Sequence, residues 1–141
     1  MIYTLVYVSS AIHPFSEKEL AEILRVSREN NTKIDITGLL LYSDGNIIQI
    51  LEGEKRAVEA LYTHIANDPR HQSILRLFAK NADMRSFPDW SMGYKLMTRA
   101  ELCEKLPGYN AILEHGGEGM LDRLSGPVET LINTFRRTVQ V

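Results

Sequence analysis

Two polar side chains stand in stretches that otherwise read as buried strand. Residues 46–53, Asn-Ile-Ile-Gln-Ile-Leu-Glu-Gly, are rich in β-branched types, and alternation puts Gln49 on one face with Ile47 and Leu51. Residues 2–9 alternate in the same way, with Tyr7 sharing a face with Tyr3 and Leu5. An amide or phenol left unmet in a core costs about 1–3 kcal/mol, so each must find a polar partner inside. Asn30 and Asn31 add two amides where a helix is expected to end. Singly these residues have ordinary readings, as a core tyrosine, a strand glutamine and a helix stop. Together, amides and a phenol beside an apolar slot suit a flat heterocycle with donor and acceptor edges.

Other chemistries find less support. Ser9, Ser10 and Cys103 lack a G-x-S-x-G setting or a His with a carboxylate behind it. His13, His64, His71 and His115 have no metal-ligand spacing and no cysteine support, so no metal is expected. The glycines of 116–119 match neither a Walker loop nor G-x-G-x-x-G after a strand, and read as a linker. The segment Ser9-Ser10-Ala11-Ile12-His13-Pro14 offers no arginine for the anion cradle of an acylphosphatase-type hydrolase. A net charge of −2 gives no electrostatic case for nucleic acid or an anionic membrane. A single cysteine excludes an internal disulfide. The chain opens directly into a strand, without a secretory leader, and no apolar run is long enough to span a bilayer. A reducing cytoplasm is the expected setting.

The elements that must position the polar set follow from local signals. Ser16 and Glu19 form a capping box, with Phe15 and Leu20 as a hydrophobic staple, and open a helix whose inward stripe is Leu20, Ile23, Leu24 and Ser27. Asn30-Asn31-Thr32 is expected to end it. A second strand covers 36–42, where Gly38 suggests a bulge or the close approach of another group. Ser43-Asp44-Gly45-Asn46 is a hairpin turn leading into the Gln49 strand. A second helix, with Val58, Leu61, Tyr62 and Ile65 in its stripe, stops at Pro69. A strand over 73–82, a turn at Phe87-Pro88-Asp89 and a last strand over 90–97 complete the series, the last placing Trp90 and Met92 on one face.

The order β-α-β-β-α-β-β predicts an α+β, ferredoxin-like fold, with two helices on one face of an antiparallel or mixed sheet. Its first and third strands are central neighbours, which brings Tyr7 within reach of Gln49. The other face needs a cover. Leu121, Leu124, Val128, Leu131, Ile132, Phe135 and Val139 recur at helical spacing and can supply one. The expected division is 1–97 as the ligand-binding unit and 98–141 as a helical extension packed on the sheet. The Leu131, Ile132 and Phe135 stripe, behind the glycine loop, is a candidate signalling surface.

Several pieces recur together in a known order: Leu5-Val6-Tyr7-Val8-Ser9, Ser27-Arg28, Asn30-Asn31 and Ile36-Thr37-Gly38-Leu39-Leu40. They continue as Gln49-Ile50-Leu51-Glu52-Gly53, Asp68-Pro69-Arg70-His71 and Phe87-Pro88-Asp89-Trp90-Ser91-Met92. In these pieces residues 1–97 resemble the BLUF domain, a blue-light sensor that uses FAD. The resemblance implies a short stand-alone photoreceptor that turns over no substrate and is not an enzyme. It implies a non-covalent flavin, FAD, with FMN or riboflavin as alternatives. Tyr7 would be the redox-active tyrosine and Gln49 the switching amide, giving a red-shifted signalling state. Asn31 would bond the pyrimidine edge with Asn30 beside it, and Ile23 and Ile65 would sandwich the ring. Arg70 and His71 would lie toward the ribityl and phosphate end, and Trp90 and Met92 would exchange proximity to the glutamine. With the chain ending at Val141, output is expected through a partner protein or through self-association into a homo-oligomer. The alternative is a flavin-free ferredoxin-like interaction or small-ligand module, which would be colourless.

Overall fold

A strand buried on both faces has to lie inside a sheet that is covered on both sides, and the first strand meets that condition. In the computed structural model, which describes residues 1–105 and 128–133, β1 spans Ile2–Ala11 and is buried from Tyr3 to Ser9. It is followed by α1 (Glu17–Lys33), β2 (Thr37–Ser43), β3 (Asn46–Gly53) and α2 (Lys55–Ala66). Then come β4 (His71–Ala82), β5 (Gly93–Leu96) and α3 (Arg99–Lys105). The sheet order is β4-β1-β3-β2-β5. Its first four strands pair antiparallel in the ferredoxin-like order, and β5 joins β2 in parallel. The fold is α+β with a mixed five-stranded sheet, as the element order implied.

Alternation divides the core in two. On the helix side Tyr3, Leu5, Tyr7, Leu40 and Leu51 pack with Leu24 of α1, Val58 of α2 and Met92. On the opposite side Val6, Val8, Leu39, Leu41, Ile48 and Ile50 pack with Phe87, Met97 and Leu102. Val128, Leu131 and Ile132, from the helical residues 128–133, complete this second core on the far side of the sheet. Leu121, Leu124, Phe135, Val139 and the loop 115–119 lie outside the described residues. Among the described residues, no helix is long and apolar enough to cross a membrane.

The local signals act as their chemistry requires. Ser16 accepts from Glu19 N–H at 3.1 Å, and Glu19 returns the bond to Ser16 N–H. Asp44 and Gly45, at φ 45° and 87°, make the tight two-residue turn between β2 and β3.

Two boundaries differ from expectation. Helix α1 does not end at Asn30-Asn31-Thr32 but runs on to Lys33. The polar side chains there do not compete with the helix backbone for its own hydrogen bonds in a way that unwinds it. Asn31 reaches out to the Ser91 carbonyl at 2.8 Å, and Thr32 donates back to the Arg28 carbonyl at 2.8 Å. The last strand does not begin at Trp90 but at Gly93. Residues 87–90 turn on themselves through a Trp90 N–H to Phe87 carbonyl bond of 3.3 Å, while Gly38 N–H takes the Trp90 carbonyl at 3.0 Å.

That last bond explains Gly38. A β-carbon there would sit 1.9 Å from the Ile50 carbonyl oxygen and 3.4 Å from the Met92 methyl, so only glycine lets β3 and the Met92 segment close on β2. Gly38→Ala is therefore expected to destabilise the fold by about 1–3 kcal/mol through overpacking, measured as a lower urea midpoint with an unchanged m-value.

Candidate functional site

The β1–β3 register sets Tyr7 opposite Gln49, and both side chains point to the helix side. The Tyr7 hydroxyl donates to Gln49 Oε1, and Gln49 Nε2 lies 3.4 Å from Met92 Sδ. Tyr7 is 3% exposed, Gln49 7% and Met92 1%, so a phenol, an amide and a thioether form one buried chain. A thioether is a weak acceptor, so the amide keeps most of its donor capacity. Burial pushes the Tyr7 phenol far above its ordinary value of 10, with Tyr62, whose ring centroid is 5.6 Å away, and Asp68 adding to the effect.

Tyr7 and Gln49 border a cavity of about 200 Å³ between the two helices. Leu20 and Ile23 line it from α1, Leu61 and Ile65 from α2, and Leu40 and Ile47 from the sheet. Asn30, Asn31, Asp68, Arg70 and His71 also reach it. Asn31 is 2% exposed and gives its Nδ2 to Ser91, which leaves Oδ1 without a protein donor among the described residues. Asn30, one residue before it, is exposed. The slot thus presents apolar side walls, one underused amide donor and one buried acceptor. A flat ring with an N–H and a neighbouring acceptor edge, such as an isoalloxazine, fits that set.

The remaining predicted residues fall into distinct settings. His71 holds Ser9 Oγ at Nδ1, at 2.9 Å, and the Ile65 carbonyl at Nε2. A carbonyl can only accept, so Nε2 carries a proton. The ring stands edge-on to Tyr7, with centroids 6.5 Å apart. Arg70 is exposed and forks onto Asp68, with Nε at 3.0 Å from both carboxylate oxygens, and this pairing holds the Asp68 carboxyl below its usual range. Trp90 does not share a face with Met92, because both precede β5 and the chain turns between them. Met92 joins the helix-side core beside Gln49, whereas Trp90 packs on the opposite core and stacks on Phe87 at 5.3 Å.

The sequence reading names Arg28 and Ser91 but gives them no role, whereas Arg28 Nε donates to the Met92 carbonyl at 2.9 Å and the Ser91 carbonyl holds Asn31. The signal was available, since Arg28 and Asn31 are three residues apart and share one face of α1. Ser27, placed there only in the inward stripe, and Asp68, given no role, both line the cavity.

A ferredoxin-like sheet with a phenol–amide pair facing a helix-walled slot for a flat heterocycle defines a flavin-sensor type of module. Residues 2–93 match the family model described as BLUF, sensors of blue-light using FAD. The chain belongs to the BLUF family. It is similar to the photoactivated adenylate cyclase subunit alpha of Euglena gracilis, at 42% identity over 61% of this chain and 8% of that protein. It is similar also to the blue light- and temperature-regulated antirepressor BluF of Escherichia coli (strain K12), at 33% identity over 62% of this chain and 22% of that protein. The chain thus spans a small part of the curated relatives it matches. Among solved structures, the dark state of the BLUF protein BlrB superposes with a TM-score of 0.75 at 31% identity, covering 98% of this chain and 97% of that one.

The upward displacement of the Tyr7 phenol has a consequence at alkaline pH. Its contribution to stability is fully present below the unfolded value near 10 and is lost as pH rises beyond it, because the unfolded chain ionises while the folded one resists. Denaturant titrations at pH 8 and above pH 10 are expected to show a smaller alkaline loss for Tyr7→Phe than for the unaltered protein.

Proposed function

We propose that this chain is a blue-light photoreceptor that holds FAD non-covalently between α1 and α2 and works as a sensor rather than as an enzyme. The observation that carries the reading is the buried Tyr7–Gln49–Met92 chain opening onto the cavity. When bound, the flavin supplies the chromophore and, once excited, an oxidant. Tyr7, buried beside the slot, would give an electron and then its proton, and Gln49, which accepts from that phenol, is placed to pass the proton on. Return of the electron and proton to Tyr7 would leave Gln49 rotated or tautomerised. Its bonds to the phenol and to Met92 would then be redistributed, turning a donor toward the slot.

Asn31 Oδ1 suits the pyrimidine N–H, and Asn30 lies beside it at the slot. Ile23 and Ile65, which line the cavity from the two helices, would exclude water from a ring held between them and so strengthen its hydrogen bonds. Arg70 at the slot suits a phosphate, although its fork onto Asp68 must be shared or broken, so the slot takes FMN or riboflavin as alternatives to FAD. The change at Gln49 biases Met92 and, through the backbone between them, Trp90. A bias of this kind is bounded by the difference in interaction energy between the two states, typically about 1–3 kcal/mol. Output then passes to a partner protein or to self-association, in a reducing cytoplasm.

The test is the absorption spectrum of the purified protein in darkness and just after blue light. A flavin spectrum that moves slightly to the red and recovers in darkness is expected, and Gln49→Leu should abolish the shift while leaving the flavin bound. A colourless protein that takes up no added flavin would sink the reading.

A further inference from the structure

The reaction at Gln49 leaves one fully buried charged group unused. Glu52 lies three residues further along β3, on the opposite face of the sheet, and is 0% exposed. Its carboxylate accepts two backbone N–H groups, from Ser86 at 2.7 Å and from Phe87 at 2.8 Å. Burial raises its carboxyl above the usual range, opposed by those two N–H bonds and by Arg85. Arg85 anchors the same turn, donating to Thr37 Oγ1 at 2.9 Å, to the Glu52 carbonyl at 3.0 Å and to the Asp35 carbonyl at 2.8 Å. A buried carboxylate is retained at a cost, and here both of its oxygens serve the backbone of one turn.

That turn opens the segment carrying Trp90 and Met92. From Glu52 the grip passes to Phe87, from Phe87 by ring stacking to Trp90, and from Trp90 through its carbonyl to Gly38 N–H. On the helix side Asn31 and Arg28 hold the carbonyls of Ser91 and Met92. The segment is therefore fixed from both faces of the sheet, and the far-side anchor sits on the same strand as the switching amide.

We propose that Glu52 is a positioning residue for the photoreaction: its carboxylate ties the 86–92 segment to the Gln49 strand and so sets the placement of Met92 against the Gln49 amide. Two charge-assisted bonds to successive N–H groups define a direction as well as an attachment, and a neutral amide cannot reproduce them. In Glu52→Gln one oxygen becomes an NH2 group, which cannot accept, so one buried N–H loses its partner. The placement of Met92 then loosens, and the path by which the lit arrangement relaxes becomes easier.

The proposal rests on the sensor reading for its photochemical half, and the experiment separates the two. Amide hydrogen exchange, read by NMR on the flavin-free and flavin-loaded protein, should find Ser86 and Phe87 among the slowly exchanging amides although they lie in a turn. Glu52→Gln should speed exchange at one or both at least tenfold, and Glu52→Asp, which keeps the charge on a shorter arm, should fall between. In the loaded protein, dark recovery should quicken at least threefold in Glu52→Gln, with Glu52→Asp again between. A merely structural carboxylate would lower the denaturation midpoint and leave the recovery rate alone, and that result overturns the proposal. Fast exchange of both amides in the unaltered protein overturns it also, even if neither variant folds. A protein without any light-induced shift would instead overturn the sensor reading, while the exchange data still decide the role of Glu52 in holding the segment.

Discussion

Everything in this molecule depends on burying an amide that has more hydrogen-bonding capacity than its protein neighbours satisfy. Gln49 accepts from a phenol at its oxygen and sets its nitrogen against a thioether, a weak acceptor, and all three side chains are buried. An amide has two orientations that exchange its donor and acceptor, and its partners decide between them. The antiparallel pairing of Tyr7 with Gln49 makes this possible. A slip of one residue would carry Gln49 to the far face, against Val6, Val8, Leu39 and Leu41 of the neighbouring strands, and leave the phenol without a partner.

Helix α1 serves two purposes at once. Ile23 lines the slot, while Arg28 and Asn31 hold the backbone on which Met92 is mounted. Asn31 divides its amide between these tasks, with its nitrogen committed to Ser91 and its oxygen left toward the cavity. A ligand that engages that oxygen therefore also orients the group that fixes the Met92 segment. Binding and positioning are linked through one side chain, without the need for a longer path.

Much of the fold was legible because its local signals agree with one another. The Ser16–Glu19 box, the Asp44-Gly45 turn and the alternation of β1 and β3 are short-range features, and tertiary packing had no reason to override them. Tyr7 and Gln49 were legible because a polar side chain on an apolar face is an anomaly that must be resolved. The end of α1 was misread since asparagines favour helix ends only when their side chains turn back on the local backbone, and Asn31 reaches across to another segment. Trp90 and Met92 were misread because alternation applies only within a strand. The clue lay one residue on: a β-carbon at Gly93 would meet the Trp90 ring at 2.5 Å, which marks the strand as starting after the indole. Glu52 gave no sequence signal apart from a charge inside an apolar strand, and its partners are backbone groups, which no residue type announces.

The parallel pairing of β5 carries a consequence for how firmly each part of the sheet is tied. Without it, β4-β1-β3-β2 is already a complete antiparallel sheet with its two helices. β5 adds four register pairs with β2, from Leu39–Gly93 to Tyr42–Leu96, at the sheet's edge and at the end of the passage 83–92. Short, parallel and at the edge, it shares fewer register pairs with its neighbour than any other strand of the sheet. Tyr7 and Gln49 stand on the central pair of strands, whereas Trp90 and Met92 stand on the approach to this lightly paired edge.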